Sequence, residues 1–198
     1  MKLLLQWSRW IDTVNDGIGR VVYWLVLAAV LISAANAVAR KAFAFSSNAF
    51  LELQWLLFSA IFLLGGGYVL LKQEHVRIDI IYGKFTKRTQ TWIDIFGTLF
   101  FLLPLAILVL WMSWPVFVRA YVTNEQSPSP GGLALWPARL LVPVGFALLI
   151  AQALSELIKR FAFLRGLISD PSNAQRPSKT AEEELAEAIQ ARGGGVQP

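Results

Sequence analysis

The 198-residue chain has no cysteine and a single histidine, His75. Without cysteine there is no structural disulfide, no thiol redox chemistry and no Cys-based zinc site. One histidine cannot supply a bis-His haem or a His-rich metal centre. Charge is scarce too, at 16% of residues. The N-terminus lacks a short apolar core followed directly by a small-residue cleavage site. The first apolar run is therefore expected to stay as an anchor.

Four long runs hold almost no charge: residues 21–38, 50–71, 92–118 and 140–158. A bilayer core about 30 Å thick needs roughly 20 apolar residues of helix. Helices also satisfy their own backbone hydrogen bonds, as lipid demands. The apolar fraction of 56% agrees with a lipid-facing bundle. The fold class is thus all-α integral membrane, with four transmembrane helices and an N-terminal amphipathic interfacial helix. The expected divisions are 1–18 for the interfacial helix, 19–165 for the four-span domain and 166–198 for a mostly disordered tail. Glu52 opens the second run, Asp94 the third, and Glu156 closes the fourth. A transport path needs ionisable or polar groups near the midplane. The runs show no such charge, so no path is expected in this chain alone, and no catalytic or metal-binding set stands out.

The net charge is +5, but its placement argues against nucleic acid. Lys2, Arg9 and Arg20 precede the first span. Lys72, Arg77, Lys84, Lys87 and Arg88 follow the second, and Lys159, Arg160, Arg165, Arg176, Lys179 and Arg192 follow the fourth. Only Arg40, Lys41, Arg119 and Arg139 fall on the other side. Basic residues stay cytoplasmic, which puts both termini inside a bacterial inner membrane. Anionic phospholipids of that leaflet are the expected partners.

In residues 3–18, Leu4, Trp7, Trp10, Ile11, Val14 and Ile18 recur at helical spacing, with Arg9, Asp12, Thr13 and Asp16 on the other side. That suits an interfacial helix, or a plain extension of the first span. Ala29, Ser33 and Ala37 offer a small-residue face. Ser47 or Asn48 can cap the second helix. Glu52 either complements that helix's dipole or is a hydrogen-bonded acid at a subunit contact. Gly65, Gly66 and Gly67 invite close packing or a local break. Residues 72–91 read as a cytoplasmic connection, re-entrant or interfacial. Pro104 predicts a kink in the third span, and Pro143 with Gly145 one in the fourth. Trp111 and Trp114 fit an interface belt. The Pro- and Gly-rich outer connection, residues 119–136, is the expected place of contact with an outside partner. In the tail, Thr180 and Glu183 form a capping box.

These features resemble the small permease subunit of TRAP transporters, the DctQ-type family, over residues 10–165. The resemblance rests on Glu52, on Gly65-Gly-Gly-Tyr68 and most on His75-Val-Arg-Ile-Asp79 directly after the second span. Ser127-Pro-Ser-Pro-Gly-Gly-Leu133 and Pro137-Ala-Arg139 resemble the mannitol/chloroaromatic branch. Glu74 stands where a glycine commonly precedes the histidine. The resemblance implies a three-part, sodium-coupled uptake system for small organic acids. Its partners would be a large membrane subunit and a periplasmic solute-binding protein. The large subunit would bind substrate and sodium and move as an elevator. This chain would carry no cofactor and act as a scaffold rather than an enzyme. Glu52, Trp55, Gly65, Gly66, Gly67, His75, Arg77 and Asp79 would serve the subunit interface. Arg40, Lys41, Glu125, Ser127, Gly131, Gly132 and Arg139 would form the rim where the binding protein docks.

Other classes fit less well. A haem-holding redox anchor needs several histidines. A small exporter needs an acid inside a span. A disulfide-generating enzyme needs cysteine. An assembly or anchor subunit of an unrelated complex is the alternative reading.

Overall fold

The computed structural model describes residues 2–43, 47–73 and 85–168. Helix α1 runs Lys2–Phe43 and α2 Asn48–Lys72. Helix α3, Lys87–Gly97, passes through a π-helical segment, Thr98–Leu102, into α4, Leu103–Val122. Helix α5 is Trp136–Leu164. No strand occurs among the described residues. Four helical runs, with α3 to α4 counted as one, are long and apolar enough to cross a membrane. The chain is a multi-pass membrane protein.

Helix α1 is unbroken at residue 18. Its 42 residues rise about 63 Å at ~1.5 Å each, roughly twice what a bilayer core requires. A separate interfacial helix is not seen; residues 3–18 continue the same helix. Trp7 and Trp10 are exposed, whereas the polar Ser8 and Asn15 are buried. The inward face of this segment is therefore polar, and it packs on α5. The small-residue face is used in part: Ala29 is buried, Ser33 half-buried and Ala37 exposed.

Helix α5 packs on α1, α2 and α4 and holds the largest share of the buried residues. Gly145 permits its closest crossing with α2. A Cβ there would lie 2.6 Å from the Leu63 carbonyl oxygen. The apolar core joins Ile95, Leu103, Ala153 and Leu157. The π segment ends two residues before Pro104. Proline lacks the N–H that would bond residue 100, and its ring crowds that carbonyl. The widened turn accommodates both demands.

The second connection is shorter than 72–91. Thr86 caps α3, its side chain accepting from the Thr89 N–H at 3.4 Å, so residues 87–91 are already helical. The propensity of Thr for caps outweighs the loop-like polarity of this stretch. Ser47 stands at the N-cap of α2 but makes no side-chain cap bond. Asn48 Nδ2 instead donates to the Pro130 carbonyl at 3.0 Å.

Candidate functional site

The α4–α5 loop is held from below by α2. Glu52 lies in the second turn of α2, and its carboxylate is bound by the loop. Oε1 accepts from the Ser127 hydroxyl, and Oε2 accepts from the Leu133 N–H at 2.6 Å. The loop supplies the rest of its own order. The Ser127 N–H donates to the Leu133 carbonyl at 3.0 Å and Leu135 N–H to the Glu125 carbonyl at 2.9 Å. Between them Gln126 and Ala134 form an antiparallel bridge. Gly131 turns the chain at φ +72°, and a Cβ on Gly132 would sit 2.7 Å from Glu52 Oε1. Both glycines are thus fixed by geometry: one by its left-handed backbone, one by the approaching carboxylate. Arg139 grips Glu125 bidentately at 2.5 and 2.6 Å, tying the first turns of α5 to the loop.

Six residues expected in two different sites, Glu52, Ser127, Gly131, Gly132 and the paired Glu125–Arg139, therefore form one structure at this end. Arg40 and Lys41 end α1 at the same end and are exposed, as is Arg119. Trp55 is 69% exposed on α2. The glycine run divides. Gly65 and Gly66 meet no atom of the chain within 4 Å of an added Cβ. Gly67 is buried, and its Cβ would lie 2.5 Å from Asn15 Oδ1, so it serves the chain's own bundle. His75, Arg77 and Asp79, with the whole tail, lie outside the described residues.

At the other end a polar seam joins α1 to α5. Ser8 and Ser155 hydroxyls meet at 2.7 Å. Asn15 Nδ2 donates to Gln152 Oε1 at 2.8 Å, and Gln152 Nε2 to Asp12 at 2.9 Å. Lys159 joins Asp12 at 3.2 Å and Glu156 at 2.5 Å. Arg160 pairs with Asp94 on α3. Asp16 binds Lys72 at 2.9 Å and Arg20 at 2.7 Å. The sequence reading missed this seam. Its signal is the spacing of Ser8, Asp12 and Asn15 against Gln152, Ser155, Glu156 and Lys159, one helical face each. No group of three His, Cys, Asp or Glu side chains suited to a metal occurs among the described residues.

A family model for the DctQ component of tripartite ATP-independent periplasmic transporters matches residues 29–163. This chain belongs to the DctQ family. The match runs from the middle of α1 to the last turn of α5, and so includes the Glu52 loop and the α5 face of the seam but not its α1 face. Comparison with curated proteins and with solved structures found no match. The family makes the chain the small subunit of a TRAP transporter, with a large membrane subunit and a periplasmic binding protein as partners. DctQ is a transporter component rather than an enzyme family.

Proposed function

We propose that this chain is the scaffold subunit of a sodium-coupled uptake system for small organic acids of the mannitol/chloroaromatic branch, seated in a bacterial inner membrane with both termini cytoplasmic. One observation carries the reading. Every acidic side chain among the described residues is already engaged within the chain: Asp12, Asp16, Glu52, Asp94, Glu125 and Glu156. A path for an ion or an organic anion needs ionisable groups held ready for cargo. Here they hold helices and a loop together, which suits a rigid support. Sodium and substrate then belong to the large subunit, and this chain needs no cofactor.

Two surfaces support the partner assignments. Trp55, Gly65 and Gly66 leave α2 open to a helix of the large subunit, since small residues let backbones approach closely in lipid. At the loop end the two carboxylates are engaged internally, while Arg40, Lys41 and Arg119 are exposed. Such a rim suits a soluble binding protein with an acidic face, and rim charge mainly tunes encounter rate. His75, Arg77 and Asp79 would order the cytoplasmic connection. The test is reconstitution with and without the partners. Liposomes holding all three parts should take up a labelled organic acid on a sodium gradient, and liposomes holding only this chain should not. Uptake by the chain alone would overturn the scaffold reading.

A further inference from the structure

The first turns of α1 carry an apolar stripe that the described residues leave open. Leu3, Trp7 and Trp10 recur at helical spacing and are 73%, 65% and 64% exposed. Lys72, at the end of α2, pairs with Asp16 at 2.9 Å. The 25 residues of α2 rise about 38 Å at ~1.5 Å each, more than a bilayer core of ~30 Å requires. The stripe stands about 9–20 Å further along α1 than that ion pair. By the measure of α2 it lies beyond the lipid tails that cover the rest of the helix. Cations border it. Arg9 and, at the end of α5, Arg165 are exposed and have no ion-pair partner among the described residues.

The chain carries a segment of matching chemistry. The Thr180–Glu183 capping box predicts a helix from residue 180 to Arg192. Helical spacing puts Ala181, Leu185, Ala188 and Ile189 on one face, with Glu182 and Glu184 on its two flanks. Residues 180–192 hold four glutamates against one arginine. A helix this short is marginal in water without a surface to pack on. Its tether starts at the right end of the bundle, because Ser8 meets Ser155 at 2.7 Å and α1 thus begins beside the end of α5. Eleven residues separate Ile168 from Thr180. A flexible chain of that length spans roughly 18 Å. From Ser155 to Leu164 α5 advances about 14 Å, so the segment can return to the level of Trp7. We infer that residues 180–192 dock on the Leu3–Trp7–Trp10 stripe of α1, with Leu185 and Ile189 toward the Trp rings and the glutamate flanks toward Arg9 and Arg165. An anionic inner leaflet would repel those glutamates. The short tether favours this chain's own stripe over a separate partner.

The chain has no cysteine, so a pair can be placed cleanly. Gln6→Cys, exposed beside the stripe, combined with Ala188→Cys should be joined within one chain by a short bis-maleimide. Ser129→Cys with Ala188→Cys, at opposite ends of the bundle, should not. In the full chain in detergent, amides 182–190 should exchange with deuterium at least about tenfold more slowly than in Leu185→Asp or in the Trp7→Ser, Trp10→Ser double variant. Leu185→Asp lies outside the helical bundle, so its loss of protection would not reflect unfolding of the spans. Joining no greater than in the Ser129 pair, or equal exchange in all three chains, would overturn the inference. So would protection that needs added anionic vesicles or the large subunit and survives the Trp7→Ser, Trp10→Ser change; the segment would then belong to the bilayer or to the partner.

Discussion

Glu52 shows how a residue can be conspicuous in the sequence while its partners are not. An acid at the head of an apolar run is conspicuous in the sequence, and the family resemblance gives it an interface role. Its partners, Ser127 and the Leu133 N–H, lie far along the chain, and no local pattern announces a contact between a helix and a distant loop. Gly132 is similar: the sequence marks a turn, but only the approaching carboxylate explains why a side chain is not tolerated. Glu52→Gln removes the charge and presents an amide N–H toward donors. The Leu133 amide should then exchange with deuterium several-fold faster, while amides in the middle of α5 stay protected. Unchanged exchange at Leu133 would mean that the loop holds its shape without α2. Gly132→Val should reproduce the effect, because the Cβ would displace Glu52 Oε1 or Ser127.

At the scale of elements, helix existence was readable from apolar length, and helix identity within the bundle was not. Four runs gave four spans because lipid admits little else. The seam between α1 and α5 escaped because residues 3–18 were read for their apolar stripe, when the buried side is Ser8 and Asn15. Polar residues carry helix contacts in membranes because lipid offers no hydrophobic drive between helices. Gln152→Leu removes the side-chain acceptor of the Asn15 amide and one donor to Asp12. It should destabilise the chain by about 1–3 kcal/mol, measured by thermal unfolding in detergent. Asn15→Leu combined with Gln152→Leu should cost less than the two single changes added together. The glycine run gives a second contrast. Gly67→Leu overpacks against Asn15 and should cost about 1–3 kcal/mol. Gly66→Leu meets open space and should leave the isolated chain's unfolding unchanged while weakening capture of the large subunit. Equal effects of the two on the isolated chain would show that both glycines serve the bundle.

For the whole molecule, the basic asymmetry makes a topological prediction. Ser129→Cys should react with an impermeant thiol reagent from the periplasm and Ser172→Cys only from the cytoplasm, on a chain with no other cysteine. The opposite pattern would invert the bundle. The larger claim is that this bundle is a support, its charges used for its own cohesion and its open faces for partners. That division was foreshadowed by the apolar runs, but the internal matching of every described carboxylate became visible only in three dimensions. The most direct measurement is affinity purification of the full chain from its native membranes with identification of what accompanies it. A large, many-span membrane subunit should co-purify in a fixed ratio, and that ratio should fall for Gly66→Leu. Recovery of the chain alone, or in a fixed complex with proteins unrelated to transport, would contradict the account.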